Sequence, residues 1–145
     1  MTALYGLPFD GAREAREYLI RRQAQLAELN QQLLALQQEF HASFGYSLPF
    51  RPIRLADKSY TPLRWRVGTT RRRFELDDAV GQAYLAALSA DARRQVLALE
   101  FKRIHLNQAW AVCNYECLRL ERLLQQFVSW RGMMRQLPRT STETA

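Results

Sequence analysis

The chain has 145 residues, 48% of them hydrophobic and 11% aromatic, which is enough for one domain to fold without metals. Its only cysteines are Cys113 and Cys117, and no apolar run approaches the ~20 residues that span a bilayer, so this composition excludes a disulfide framework and predicts no membrane-spanning helix. The net charge of +7 arises wholly within residues 51–73, which hold eight basic residues and one acid, as expected of a surface that binds an anion.

The first predicted element is a long helix. Residues 1–9 precede it and lack the basic and apolar regions of a secretory signal, so we expect a cytoplasmic protein. Asp10 is predicted to cap the helix, which ends near Phe44 with Gly45 as its C-cap, because the residues between are mostly strong helix formers. Spacings of three and four residues predict a coiled-coil-like seam at Leu26, Leu29, Leu33, Leu36 and Phe40.

A connection and a β-hairpin are predicted next. Residues 46–61 contain prolines and show little periodicity, so we predict an ordered connection there. Residues 62–76 alternate between apolar and polar side chains on either side of the turn signal Gly68-Thr69-Thr70, which is typical of two antiparallel strands. Two strands alone are marginal in water, so the apolar face of the hairpin must pack on helices.

The apolar residues of the hairpin determine its register. They share a face only if Trp65 lies opposite Phe74, and this places Arg66 opposite Arg73 on the outer face. Directly opposed like charges destabilise a sheet by up to ~1 kcal/mol, and an anion between them would relieve the repulsion. We therefore interpret the outer face as a binding surface.

The remaining chain is predicted to be helical. Asp77 and Asp78 cap a short helix to about Leu88, and Ser89 caps a helix that runs to about Arg135. That last helix carries two apolar stripes, so we expect it to be covered on two sides, one of them by the first helix. The first stripe consists of Leu97, Phe101, Ile104, Ala111, Tyr115 and Leu118, and the second of Leu99, Leu106, Trp110, Cys113, Cys117, Leu120, Leu124 and Phe127.

The predicted fold is mainly α (α+β). A long antiparallel helical hairpin carries an inserted two-stranded β-hairpin at about 62–76 and a short helix, in a single domain over 1–137. Residues 138–145 are expected to form a flexible tail.

The basic stretch predicts a nucleic-acid-binding accessory protein, with DNA favoured over RNA, that contacts phosphates through the Arg-rich hairpin. A homodimer through the long helices is also expected. The alternative is a protein–protein adaptor or inhibitor whose Arg-rich hairpin docks on an acidic partner surface. The candidate contact residues are Arg64, Arg66, Arg71, Arg72 and Arg73 in the hairpin, flanked by Arg51, Arg54 and Lys58.

The sequence contains no recognisable catalytic or metal site, so we expect no enzyme, cofactor or metal. Cys113 and Cys117 lie one helical turn apart, which suits two small core residues better than half of a zinc site. Trp65 lies on the apolar face and is predicted to pack in the core. Glu100, Arg103 and Asn107 share one side of the last helix, where we expect a structural role.

Two short motifs, Pro62-Leu-Arg-Trp-Arg-Val67 and Glu100-x-x-Arg-x-x-Leu-Asn107, resemble segments of uncharacterised small proteins from bacterial plasmids and integrative conjugative elements. The resemblance covers roughly residues 59–124 and implies a helix, a short hairpin, a short helix and a long helix. Some of those proteins carry cysteines before the hairpin that this chain lacks. The resemblance implies a mobile-element context, where handling nucleic acid is common, and assigns no role to any residue.

Overall fold

A computed structural model describes residues 4–55, 62–68, 70 and 72–138. A short 3-10 turn, Leu4–Gly6, precedes five further elements: α1 Gly11–Phe44, β1 Phe50–Ile53, β2 Arg64–Val67, α2 Ala79–Ala86 and α3 Ala90–Gln136. The predicted class is confirmed. The two long helices pack on each other, and the two-stranded antiparallel sheet and the short helix lie between them in the sequence. No helix in the described ranges is both long and apolar enough to cross a membrane.

Three helix ends follow the predicted capping signals. Gly45 has a left-handed φ of 55° and its N–H donates to the carbonyl of His41 at 2.7 Å, which closes α1 as expected. Asp78, and not Asp77, is the N-cap of α2, where its carboxylate accepts from the N–H of Gly81. The Ser89 hydroxyl accepts from the N–H of Ala92 and caps α3.

The contacts divide the chain into two compact units. The first unit comprises the described residues of Met1–Gln25 and Cys113–Ala145, and the second those of Leu26–Val112. Each long helix therefore contributes a stretch to both units, and each unit has its own core.

In the first unit the start of α1 packs antiparallel on the second half of α3. The Tyr18 hydroxyl donates to Glu116 at 2.9 Å, and the Cys113 thiol donates to the carbonyl of Arg22 at 3.2 Å. Burial, followed by the charge of Cys113, raises the pKa of Cys117 to about 11, so this thiol is protonated at neutral pH. The buried apolar residues are Phe9, Ala12, Ala15, Leu19, Cys113, Cys117 and Leu120, which confirms both cysteines as core residues.

In the second unit the predicted leucine seam of α1 forms one wall of the core. The Trp110 indole donates to Asn30 at 2.9 Å, and Lys102 pairs with Glu39 at 3.0 Å, so α1 and α3 run antiparallel here too. The residues buried in this unit are Leu29, Leu33, Leu36, Phe40, Phe50, Leu63, Trp65, Phe74, Leu76, Val96, Leu99 and Trp110. The sheet lies against this wall through its aromatic face.

The sheet differs from the predicted hairpin in its strand partner. β2 pairs with β1, which lies within the stretch that the sequence assigned to a connection. The segment after the turn adds one isolated bridge, between Arg66 and Arg73. The predicted register of that pair is thus confirmed, but among the described residues 72–76 the ladder does not extend beyond this bridge. It cannot extend to Leu63, because Asn107 already bonds both backbone groups of that residue, with Leu63 N–H donating at 3.0 Å and Leu63 C=O accepting at 2.9 Å.

Only one of the two predicted stripes of α3 is covered. The second stripe supplies Leu99 and Trp110 to the core of the second unit and Cys113 to that of the first. The first stripe is exposed within the described part of the chain, because α1 packs on the other side of α3. Its exposed members are Leu97, Phe101 and Ile104 in the second unit, and Tyr115 and Leu118 in the first.

Candidate nucleic-acid interface

Three arginines lie side by side across the sheet. Arg51 in β1 is directly opposite Arg66 in β2, and Arg66 is directly opposite Arg73 on its other side. The second pairing is held by two backbone hydrogen bonds, from Val67 N–H to the Arg72 carbonyl at 2.9 Å and from Phe74 N–H to the Trp65 carbonyl at 3.1 Å. Opposed residues point to the same face of a sheet, so these three form one cross-strand group, which we call the basic row. Arg64 lies on the same face, two residues from Arg66.

The other face of the sheet is an aromatic layer that holds the basic row in place. Trp65 is fully buried, as predicted, with its ring centroid 5.7 Å from those of Phe40 and Phe50. Phe74 and Tyr84 complete the layer at 5.1 Å from each other. Because the residues that alternate with the arginines are fixed in a close-packed core, the backbone beneath the row has little freedom to shift.

A clamp from α3, formed by Glu100, Arg103 and Asn107, fixes the start of β2. The Trp65 indole donates to Glu100, whose carboxylate also accepts from Arg103 at 2.6 Å. Arg103 donates to the Leu63 carbonyl at 3.0 Å. Burial disfavours the Arg103 cation, but the hydrogen bond and charge of Glu100 outweigh this and raise its pKa. The two motifs that carry the sequence resemblance therefore contact each other, through Trp65 and Leu63 in the first and Glu100, Arg103 and Asn107 in the second.

Arg64 is held at the edge of the face by an ion pair. Its guanidinium lies 3.3 Å from Glu75, which also lies 3.6 Å from the buried Arg103. Arg64 is half-buried, so one side of its guanidinium is neutralised while part of the group faces solvent.

Two of the flanking arginines lie over aromatic rings. Arg51 lies 4.6 Å from the ring centroid of the exposed Tyr46, and Arg54 lies 5.1 Å from that of Trp110. Both are half-buried, and burial lowers the pKa of Arg54. Arg54 therefore anchors the chain to α3, whereas Arg51 belongs to the basic row.

The structure corrects the prediction that Arg66 lies on an open outer face, because this residue is only 6% exposed. It occupies the middle of the row, where a neighbour on each side restricts solvent. Arg72 and Arg73 are exposed, as predicted. Lys58 and Arg71 lie outside the described residues.

Sequence reasoning missed β1, and with it the membership of Arg51 in the row. The alternation of Phe50, Arg51 and Pro52 is the signal that could have found the strand. Pro52 obscured it, since proline is disfavoured within sheets, but it is tolerated on an edge strand. Here β1 is that edge, and the Pro52 carbonyl accepts from Gln37 at 3.4 Å.

The described residues contain no group of three or more His, Cys, Asp or Glu side chains that could hold a metal ion. The ring centroid of His41 lies 5.0 Å from that of Tyr46, and the Nδ1 atom of His105 is hydrogen-bonded to the Phe101 carbonyl on its own helix. Comparison of the chain with protein-family models, curated proteins and solved structures found no match.

Proposed function

We propose that the protein binds nucleic acid through its phosphates, using the solvent-facing arginines around the basic row. The observation that carries the proposal is the alignment of Arg51, Arg66 and Arg73 across the sheet, since a stable fold does not require three cations in register. Phosphate contacts of this kind give affinity without base specificity.

The solvent exposure of each arginine indicates how directly it can contact a phosphate. Arg72 and Arg73 are open to solvent and carry the main contacts, with Arg51 and Arg64 as half-exposed additions. Arg66 acts by placing positive charge between Arg51 and Arg73. A two-stranded ribbon can lie along a phosphate backbone or enter a major groove, which favours duplex DNA as the ligand. An accessory role in a bacterial mobile element agrees with the resemblance of the two motifs.

A protein partner with an acidic surface is the second candidate. The observation that favours it is the exposed Tyr46, 73% accessible, with Arg51 lying over its ring. Tyrosine and arginine are both enriched in protein interfaces. Such a complex would retain an apolar contribution at high salt, which a phosphate complex would not.

We also propose a homodimer through the long helices. The support is the exposed stripe of α3, which in the second unit includes Phe101 at 68% and Ile104 at 51% exposure. Exposed apolar groups of this kind mark interaction surfaces.

The decisive experiment is fluorescence anisotropy with a labelled duplex DNA and with single-stranded DNA and RNA of the same sequence. Replacing Arg72 and Arg73 by Gln should weaken binding strongly at ~50 mM salt, because both fully exposed contacts are lost. The matched control replaces the exposed Arg13 and Arg16 by Gln, which removes the same charge from α1. An equal loss in both variants, or no binding by the parent protein, would overturn the proposal, and unaltered circular dichroism would exclude unfolding.

A further inference from the structure

Tyr46 presents an exposed aromatic ring from a turn whose backbone is fixed on both sides. The N–H of Gly45 donates to the His41 carbonyl at 2.7 Å. The N–H of Ser47 donates to the Phe44 carbonyl at 3.0 Å. The Tyr46 ring centroid lies 5.0 Å from that of His41, yet Tyr46 is 73% exposed. The ring is therefore held in a defined place and remains available to a flat ligand.

A groove between α1 and β1 lies beside this ring. Its volume of about 400 Å³ falls within the range of small-molecule sites. Leu34, Pro52 and Ile53 give it an apolar side. Gln37 and Gln38 add side-chain amides, one of which donates to the Pro52 carbonyl at 3.4 Å and keeps its own carbonyl oxygen to accept. A nucleobase needs this combination, because it stacks through its faces and forms hydrogen bonds through its edges.

Arg51 joins the groove to the basic row. It lines the groove, its guanidinium lies 4.6 Å from the Tyr46 ring centroid, and it is directly opposite Arg66 in the sheet. One of its terminal nitrogens donates to the Leu48 carbonyl at 3.4 Å. Its buried Nε–H has no acceptor within the described part of the chain. Because a nucleotide carries its phosphate next to its base, a base in the groove brings a phosphate oxygen to Arg51.

The groove selects a base that is not paired. In a duplex the faces of each base are covered by its neighbours and its pairing edge by the other strand, so only an unpaired base can stack on Tyr46. Arg51 is the one Lys or Arg among the described residues that line the groove. An acidic protein side chain would gain a single ion pair there, whereas a base uses the ring, the apolar side and the amides together.

We propose that this groove, which we call the base pocket, holds one unpaired base of a nucleic acid whose phosphates contact the basic row. The inference rests on the proposed function and specifies its ligand, a duplex that carries a single-stranded tail. The ribbon lies on the phosphates of the duplex, Tyr46 stacks on the first base of the tail, and Arg51 contacts the phosphate between them.

Fluorescence anisotropy of the full chain with labelled duplexes tests the base pocket at ~150 mM salt, where phosphate contacts alone are weakened. The probes are a blunt duplex, the same duplex with a short thymidine tail of either polarity, and the same duplexes with abasic tails. An abasic tail keeps the phosphates but has no bases. We expect one thymidine tail to tighten binding by about 5- to 150-fold, the effect of one stacked base, and its abasic counterpart to add little.

Variants of Tyr46 assign the gain to this ring. Tyr46→Ala should remove the gain from the thymidine tail and leave the affinity for the blunt duplex unchanged. Tyr46→Phe should retain the gain, because stacking requires the ring and not the hydroxyl group. Tyr5→Ala is the matched control, since Tyr5 is 93% exposed and belongs to the first unit. Far-UV circular dichroism should not differ among these proteins.

The outcomes separate the base pocket from the proposed function. Equal binding of blunt and thymidine-tailed duplexes, or equal gains from thymidine and abasic tails, would overturn the base pocket while the phosphate contacts stand. A Tyr46→Ala loss that is the same for blunt and tailed duplexes would also overturn it. A parent protein that binds none of the probes would overturn both proposals and direct the search to an acidic protein partner.

Discussion

At the scale of single residues, Asn107 shows how one side chain can end a β-ladder. Its amide accepts from the N–H of Leu63 at 3.0 Å and donates to the carbonyl of the same residue at 2.9 Å. It thereby replaces both bonds that a neighbouring strand would make. Because Leu63 is fully buried, water cannot take the place of these bonds.

We predict that Asn107→Ala destabilises the protein by about 1–3 kcal/mol, since it leaves buried backbone groups without a partner. Arg103 continues to donate to the Leu63 carbonyl, so the lost bond to the Leu63 N–H dominates the effect. Urea unfolding followed by circular dichroism measures the change. Gln108→Ala is the control at an exposed neighbouring position, where the expected change is within ~0.5 kcal/mol. Equal stability of the two variants would contradict the structural role of the clamp.

Sequence reasoning assigned this residue a structural role but not its partner. Helical spacing showed that Glu100, Arg103 and Asn107 share one side of α3. The segment they contact lies about 40 residues earlier in the chain, and the bonds that Arg103 and Asn107 make to it go to backbone atoms, which carry no sequence signal. The same limit applies to Arg66, for which the sequence predicted Arg73 as a neighbour but not Arg51 of β1 on the other side.

At the scale of elements, helices were predicted better than strands. Both long helices have local signals at their ends, such as Gly45 and Ser89, and strong helix formers between them. β1 has four residues, one of them proline, and its pairing depends on the aromatic layer below it. Where tertiary contacts determine an element, local propensity does not find it.

The short helix α2 depends on a close approach that only glycine permits. A Cβ atom on Gly81 would lie 2.1 Å from the Glu75 carbonyl oxygen and 2.4 Å from the Leu76 Cα. Gly132, near the end of α3, has no such neighbour within 4 Å. Both glycines are helical, so the same substitution has opposite consequences.

We predict that Gly81→Ala destabilises the protein by about 1–3 kcal/mol, because backbone must move to admit the methyl group. Gly132→Ala should instead stabilise α3 by about 0.5–1 kcal/mol through helix propensity. Thermal and urea unfolding of the two variants measure both effects. Changes of the same sign would show that the packing between α2 and residues 75–76 is looser than described.

At the scale of the whole molecule, the sequence located the charge but not its arrangement. Eight basic residues in 51–73 appeared as one cluster, yet those that the structure describes separate into different roles. Arg54 lies over Trp110, Arg64 pairs with Glu75, and Arg66 is buried. The exposed stripe of α3 was likewise visible as a pattern, but periodicity alone does not say which stripe faces the core.

This arrangement predicts the salt dependence of binding. If Arg51, Arg64, Arg72 and Arg73 each neutralise one phosphate of duplex DNA, the logarithm of the binding constant should fall with a slope of about −3.6 against the logarithm of salt concentration. A fourfold rise, from ~50 to ~200 mM, then weakens binding about 150-fold. Single-stranded DNA should give a slope of about −2.8, since its counterion density is lower. Anisotropy titrations at four salt concentrations measure both slopes.

The salt slopes of arginine variants distinguish direct phosphate contacts from a general attraction by net charge. Single substitutions Arg72→Gln and Arg73→Gln should each reduce the duplex slope by about 0.9, because each removes one contact. Arg13→Gln with Arg16→Gln should leave it at about −3.6, although the net charge falls by more than in either single variant. A slope near zero in the parent protein would contradict phosphate contact, because no counterions would then be released from the DNA on binding.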